Sequence, residues 1–190
     1  MRWMMANVDP TIRRLAPADI AAVVEFSLRA WAPVFESFRS VLGERVYQAL
    51  YPDWRASQAG AVEAVCRDNS AAVWVAEQQG RPVGYVAVRI DADSGTGEID
   101  MLAVDPLVQG QGIGTALTAF AVQQLREAGV VLAVVGTGGD PGHAPARRVY
   151  EKVGFIGLPL VRYYARLDPD AGDKPAPGQG AGGPARRNGP

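Results

Sequence analysis

The chain has 190 residues, and its 19 lysines and arginines nearly balance its 20 aspartates and glutamates, giving a formal net charge of −1. This length suits a single hydrophobic core, and this charge argues against nucleic acid or an anionic membrane as a partner. The single cysteine, Cys66, excludes an internal disulfide, and no apolar run reaches the roughly 18–20 residues needed to span a bilayer. The first ten residues are too short and polar for a signal peptide, so we expect a cytoplasmic protein. Its arginine-rich, alanine-rich composition is typical of a GC-rich bacterial genome.

The first part of the chain predicts one strand and then several helices. Thr11–Leu15 has strand character, and Pro17 with Asp19 marks the start of a helix, because proline and an acidic residue both favour a first turn. Apolar residues continue at helical spacing as far as Arg67. We predict helical segments at Val34–Phe38, Gly43–Leu50 and Asp53–Arg67, separated by breaks at Pro33, Gly43 and Pro52.

Strands and helices alternate in the remainder of the chain. Ala71–Glu77 and Pro82–Ile90 flank a tight Gln79-Gly80 turn and predict a hairpin, and Glu98–Val104 predicts a third core strand. After them come an amphipathic helix at Gln111–Ala128, a continuous apolar run at Val130–Gly136 that is typical of a buried parallel strand, a helix at Pro145–Val153 and extended chain at Phe155–Leu167. The pattern indicates a mixed α/β fold.

The composition changes abruptly at residue 168. Eleven of the last 23 residues are glycine or proline, and none is large and apolar. Such a segment cannot bury enough surface to offset its ordering entropy. We therefore predict a flexible N-terminus at 1–10, one folded domain at 11–167 and a disordered tail at 168–190.

A glycine-rich loop at residues 109–114 is the strongest signal in the sequence. Gly110, Gly112 and Gly114 follow a strand and lead into a helix. Glycines allow backbone N–H groups to approach a ligand closely, and a helix N-terminus attracts anions, so the loop can bind a pyrophosphate; a merely flexible loop is the alternative. The lysine of a P-loop is missing, and the third glycine comes one residue too early for a Rossmann fingerprint.

Two motifs resemble the GNAT superfamily of acetyl-CoA-dependent N-acetyltransferases. One is Q-x-x-G-x-G at Gln109–Gly114 after the residues LAVDP, and the other is APARRVYEKVGF at 144–155. They occur in the expected order, about 30 residues apart, with a strand between them. The resemblance implies a mixed central sheet of about six or seven strands, splayed at the fourth strand and flanked by helices.

The resemblance also implies how acetyl-CoA binds as a co-substrate. The pantetheine arm would lie in the splay, hydrogen-bonded to the backbone of the strand before the loop, and the pyrophosphate would meet loop N–H groups. The residues implied are Leu102, Ala103 and Val104 on the strand, and Gln109, Gly110, Gln111, Gly112, Ile113, Gly114 and Thr115 in the loop. Arg147 and Arg148 either meet CoA phosphates or form a solvated helix face.

The reaction implied is direct attack by a neutral amine on the thioester. Tyr150 matches the family tyrosine that donates a proton to the departing thiolate; its alternative is an aromatic that packs the helix. Glu98 matches the position of the base in some members, and period-2 geometry places Asp100 on the same strand face. Solvated or arginine-paired acids are the alternative for both.

His143 stands where the family often has an asparagine that orients pantetheine, so it is a cofactor-binding candidate, with a loop anchor or a base as alternatives. One histidine and one cysteine provide no zinc site. We expect a small-molecule amine acceptor and a monomer or homodimer. A protein lysine or N-terminus as acceptor, or a non-catalytic acyl-CoA-binding module, are the alternatives.

Overall fold

The computed structural model describes residues 10–91 and 93–167. These residues form a five-stranded sheet in the order β1-β2-β3-β4-β5, antiparallel except for the last pair. The elements in chain order are β1 (Thr11–Arg14), α1 (Ile20–Leu50), α2 (Trp54–Arg67), β2 (Ala72–Gln78), β3 (Arg81–Asp91), β4 (Thr96–Val104), α3 (Ile113–Glu127), β5 (Leu132–Val135) and α4 (Ala144–Val153). One-turn helices lie at Pro17–Asp19, Pro106–Val108 and Pro141–His143.

Both faces of the sheet are covered, which explains the continuous apolar character of its central strands. Val75 and Tyr85 face α1 and α2 and are fully buried. Their neighbours Ala76 and Val86 point to the other face, where Leu117 of α3 completes a second core. The sheet is therefore a middle layer between two helical layers.

The first helix is longer than predicted. Pro33 lies inside α1 without ending it, whereas the break predicted at Gly43 is present, because Gly43 has non-helical φ 74° and ψ 157° and two helical segments meet there at a kink. A proline inside a helix costs roughly 3 kcal/mol, so other interactions must hold the two sides together. Buried Phe26 and Phe35 flank the proline, and Tyr47 packs beyond it, so tertiary packing overrides the local breaking signal.

The last strand is only partly as predicted. β5 pairs in parallel with β4, as expected, but it is an edge strand, with Leu132 58% exposed and Val134 43% exposed. Residues 155–167 belong to no strand, so the described residues contain five strands, not the predicted six or seven. The side chains of this apolar run alternate: Ala133 and Val135 pack against the core, and Leu132 and Val134 are exposed to solvent.

The sheet splays at the fourth strand, as predicted. Parallel pairing joins only Thr96–Ile99 to Leu132–Val135, and beyond it the two strands part. At this point β4 also carries a bulge, since Ile99 lies opposite Val88 and Met101 opposite Ala87, leaving Asp100 as the extra residue. Bulges redirect side chains and often accompany functional sites.

Within the described ranges, no helix is both long and apolar enough to cross a bilayer. The segments predicted to be flexible or disordered, 1–10 and 168–190, lie outside those ranges apart from Pro10, and those predictions stay untested.

Candidate active site

A cavity of about 590 Å³ opens where β4 and β5 separate. This volume is in the range of small-molecule and cofactor sites. Its walls are the free edge of β4, the glycine-rich loop at 109–114, the start of α3, one side of α1, the loop at 136–143 and one face of α4. The predicted residues on this wall are Asp100, Leu102, Ala103, Val104, Gln109, Gly110, Gly112, Ile113, Gly114, Thr115, His143 and Tyr150.

The glycine-rich loop presents free backbone donors to the cavity. Gly110 and Gly112 adopt positive φ angles of 79° and 84°, and Gly112 caps α3. The first helical bond runs from Ala116 N–H to the Gly112 carbonyl. The amides of Ile113, Gly114 and Thr115 precede it, and within the described residues they have no acceptor. A positive helix end with three free donors suits a phosphate group.

Side-chain contacts hold this loop against the rest of the domain. Gln109 Nε2 donates to the Val104 carbonyl at 3.0 Å, which closes the loop onto the end of β4. Asp105 accepts the Leu107 amide and pairs with Arg29 Nη2 of α1 at 2.8 Å. Gln111, also a predicted ligand residue, is not on the cavity wall.

The polar groups and positive charges on the cavity wall suit an anionic cofactor such as CoA. Beyond Ile99, the backbone of β4 has no β5 partner, so the polar groups at Leu102–Val104 that do not pair with β3 face the splay, where the Val104 carbonyl already accepts from Gln109. Arg148 and Lys152 add positive charge to the wall from α4. Arg147, which precedes Arg148 in the sequence, does not face the cavity, because its Nη1 donates to the carbonyls of Gly138 and Asp140.

Tyr150 is buried beside the cavity, with 9% of its surface exposed. Burial raises the pKa of its phenol to about 12, so the hydroxyl is protonated at neutral pH. Its ring meets Phe155 edge-on at 6.0 Å. Since no described protein group bonds its hydroxyl, that hydroxyl is available to a ligand.

The two predicted carboxylates lie in different settings. Glu98 is exposed on β4 and is not on the cavity wall. Asp100 reaches the wall at the bulge, but its Oδ2 pairs with Arg89 Nε at 2.7 Å. Arg89 also pairs with Asp68 at 2.7 Å, and the hydrogen bond from the Ser70 amide, together with the one from Arg89, lowers the pKa of Asp68 to about 2. The catalytic roles of both acids stay predictions.

His143 lies on the wall with an acidic partner that sequence reasoning did not identify. Its Nδ1 bonds Asp140 Oδ1 at 2.5 Å, and the two side chains are only 11% and 8% exposed. Trp31 meets the imidazole edge-on at 6.2 Å, and Phe38 lies 5.4 Å from it, both from α1. The only sequence signal for this pair was their spacing of three residues in a glycine-rich loop.

Other wall residues come from α1 and α4. Trp31, Pro33 and Val34 of α1 supply an apolar surface, and Lys152 of α4 supplies charge. No group of three or more His, Cys, Asp or Glu in the described ranges could hold a metal ion.

The sequence matches the model of the Acetyltransferase (GNAT) family over residues 31–155. A mycothiol acetyltransferase of Thermomonospora curvata is 33% identical over 87 residues, which is 46% of this chain and 28% of that protein. The chain thus aligns with less than a third of that relative.

Solved structures agree with the fold. A GNAT-family acetyltransferase from Desulfovibrio desulfuricans is 24% identical with a TM-score of 0.59, covering 80% of this chain and 88% of that one. An aminoglycoside N-acetyltransferase in complex with CoA is 16% identical with a TM-score of 0.53, covering 83% and 95%. The family match covers both motifs and all of the cavity lining except Ala30, and the chain belongs to the GNAT acetyltransferase family.

Proposed function

We propose that this protein transfers the acetyl group of acetyl-CoA to a primary amine on a small molecule by direct attack. The main support is the cavity, which combines free loop amides, an open strand edge and a protonated tyrosine in one space. Family membership supports the same chemistry. The names of the relatives, mycothiol acetyltransferase and aminoglycoside N-acetyltransferase, favour a small acceptor.

Different residues of the cavity would bind different parts of acetyl-CoA. The amides of Ile113–Thr115 would hold the pyrophosphate, and Arg148 and Lys152 would neutralise phosphate charge. The open backbone at Leu102–Val104 would bond the pantetheine amides. Acetyl-CoA supplies an activated acyl group as a thioester, so the protein has to position the acceptor, move protons and exclude water.

Two protons must leave an ammonium acceptor for it to become an amide. The first frees the nitrogen lone pair, which attacks the thioester carbonyl as the carbon–sulfur bond breaks. For an alkyl amine with a pKa near 10, removing this proton at pH 7 costs roughly 4 kcal/mol, so a base must assist. The second proton neutralises the thiolate.

Tyr150 is placed to assist the leaving thiolate. A phenol with a pKa of about 12 holds its proton more tightly than a thiol with a pKa near 8.5, by about 3.5 pKa units or roughly 5 kcal/mol. The hydroxyl would therefore stabilise the sulfur by donating a hydrogen bond, and the thiolate would take its proton from the reacting amine. Removing the hydroxyl should slow transfer without weakening CoA binding.

The acceptor end of the cavity favours a small molecule over a protein chain. The loop at 136–143 is fastened to α1, because the Gly142 amide donates to Ser37 Oγ at 3.0 Å. Trp31 and His143 also meet edge-on, so the loop and α1 are joined on this side of the cavity. An extended peptide needs a cavity that is open on both sides.

The test is release of CoA thiol from acetyl-CoA with a panel of amines, amino acids, aminoglycosides, cysteinyl conjugates and short peptides. We expect turnover with one class of small amine, reduced roughly 10- to 100-fold in Tyr150→Phe, while the CoA-induced rise in melting temperature is unchanged. Turnover only with peptides would overturn the small-molecule acceptor. No turnover with any acceptor, despite CoA binding, would favour a binding module.

A further inference from the structure

We propose that His143 is the base that takes the proton from the acceptor ammonium, and that Asp140 is a positioning residue that holds its ring. The inference rests on the acetyl transfer proposed above. It assigns the removal of this proton to a residue pair outside β4. On β4 itself, neither Glu98 nor Asp100 combines access to the cavity with a free carboxylate.

The hydrogen bond to Asp140 determines which imidazole nitrogen is available. A carboxylate can only accept, so His143 Nδ1 carries the proton in that bond and Nε2 of the neutral ring keeps its lone pair. Among the described residues, no protein group bonds Nε2, and the ring lies on the cavity wall. A lone pair at this position can accept a proton from a cation in the cavity.

The surrounding loop is built around this pair. A Cβ at Gly138 would lie 2.6 Å from His143 Nδ1 and closer still to Asp140 Oδ1, so a larger residue there would have to displace the pair. Asp140 Oδ2 accepts the Gly142 amide at 2.9 Å, and Arg147 Nη1 bonds the carbonyls of Gly138 and Asp140. A histidine that served only as a helix cap would not need these hydrogen bonds around its partner Asp140.

The charged and titratable neighbours of the pair come from several elements. They are Arg147, Arg148, Tyr150 and Lys152 on α4, Ser37 and Tyr51 at or near α1, Asp100 across the cavity, and Arg162 and Tyr164 in the segment after α4, which act on Tyr51. Arg147 is the cation nearest the loop, and its guanidinium bonds carbonyls and leaves the Asp140 carboxylate to His143. The carboxylate can therefore stabilise the imidazolium that forms.

The proton balance of the step is complete. Nε2 takes one proton from the ammonium, the amine nitrogen forms the bond to the acetyl carbon, and the carbon–sulfur bond breaks. The imidazolium then releases its proton to solvent, and the thiolate receives the second amine proton. The products are the amide and CoA thiol, with one proton released.

The test is the pH dependence of kcat/KM for wild type and His143→Gln, with an acceptor of pKa near 10. If His143 deprotonates the bound ammonium, the wild-type kcat/KM depends on pH less steeply than the concentration of free amine does. The variant can use only acceptor that is already deprotonated in solution, so its kcat/KM rises about tenfold per pH unit below the pKa of the amine. We expect roughly a 100-fold deficit at pH 7 that disappears towards pH 9. An equal deficit at every pH would mean a structural role and overturn the proposal.

A matched pair of glycine variants distinguishes the effect of the His143–Asp140 pair from that of the loop that carries it. Gly138→Ala should displace Asp140 and His143 and reproduce the pH-dependent deficit, whereas a Cβ at the adjacent Gly139 meets nothing within 4 Å. Gly139→Ala should therefore keep wild-type kinetics. The CoA-induced rise in melting temperature should be the same in all these variants, and its loss in His143→Gln would assign His143 to cofactor binding instead.

A second readout does not depend on activity. His143 is the single histidine of the chain, so its ring nitrogens give one unambiguous set of NMR signals. We expect the neutral ring to carry its proton on Nδ1 in wild type and to lose this preference in Asp140→Asn. A wild-type proton on Nε2 would overturn the dyad even in an active enzyme, whereas an inactive wild type with the expected tautomer would overturn the proposed function and the base role with it.

Discussion

Two glycine-rich loops border the same cavity, and their glycines serve opposite purposes. In the loop at 109–114, a Cβ at Gly110 or Gly112 would meet nothing within 4 Å, and both residues have positive φ. In the loop at 136–143, a Cβ at Gly142 would lie 2.7 Å from Ser37 Cβ and 2.9 Å from Val34 Cα. The first loop leaves space and free amides for a ligand, whereas in the second loop the space at Gly138 and Gly142 is filled by side chains of the loop and by α1.

The comparison shows that glycine content alone does not identify a binding loop. Glycines in the first loop provide backbone conformation, since left-handed φ is unfavourable for other residues. Gly138 and Gly142 in the second loop provide room for close packing. Only the direction in which amides and side chains point separates a loop that receives a ligand from one that supports a catalytic side chain.

The largest expected effect comes from breaking the first loop. Gly112→Val places a β-branched residue at φ 84°, which costs about 2–3 kcal/mol and should rearrange the loop. Losing two amide bonds to a phosphate, at about 1.5 kcal/mol each, corresponds to roughly 100-fold weaker CoA binding by calorimetry. Gly129→Val is the control, because Gly129 has φ 80° and open space at the end of α3. It should lose similar stability and keep CoA affinity, and equal weakening in both variants would contradict a specific phosphate site.

The neighbouring arginines of α4 offer a smaller test of the same contrast. Arg147→Ala removes two hydrogen bonds from the second loop, so we expect about 2 kcal/mol less stability to unfolding and reduced turnover with CoA affinity retained. Arg148→Ala removes charge from the cavity wall and should weaken CoA binding several-fold with no change in melting temperature. Denaturant unfolding and CoA titration of both variants measure this. The reverse assignment of effects would contradict the division of roles.

The smallest expected effect is a pH dependence of the second loop. Burial works to raise the pKa of the Asp140 carboxyl, but hydrogen bonds from Ser37, His143 and the Gly142 amide together lower it. A carboxyl whose pKa is lowered in the folded protein contributes its full stability above its unfolded pKa of about 3.9, and it loses that stability as pH falls from there through the lower folded pKa. The melting temperature of Asp140→Asn should therefore lie below wild type at pH 6 and converge with it below about pH 4. A constant difference would show that Asp140 acts through shape alone.

Local patterns in the sequence predicted most elements because their signals are local. The hairpin turn at Gln79-Gly80, the amphipathic helix after the glycine loop and the strand before it match β2–β3, α3 and β4 closely. The predicted breaks in the first helical region were wrong at Pro33, since packing of Phe26 and Phe35 outweighs the cost of the proline. The edge position of β5 was also unpredictable, because an apolar run does not show how many neighbours a strand has.

The sequence by itself determined the alternation of strands and helices, the glycine loop at a helix N-terminus and the tyrosine of the last helix, since each depends on residues close together in the chain. The tertiary structure decided which of these residues share a cavity. The bulge at Asp100, its pairing with Arg89 and the bond between Gly142 and Ser37, 105 residues apart, all depend on contacts between distant segments. Strand register and loop docking are set by packing free energy summed over the whole domain, so the environments of Glu98, Asp100 and His143 could not be read from their neighbours in sequence.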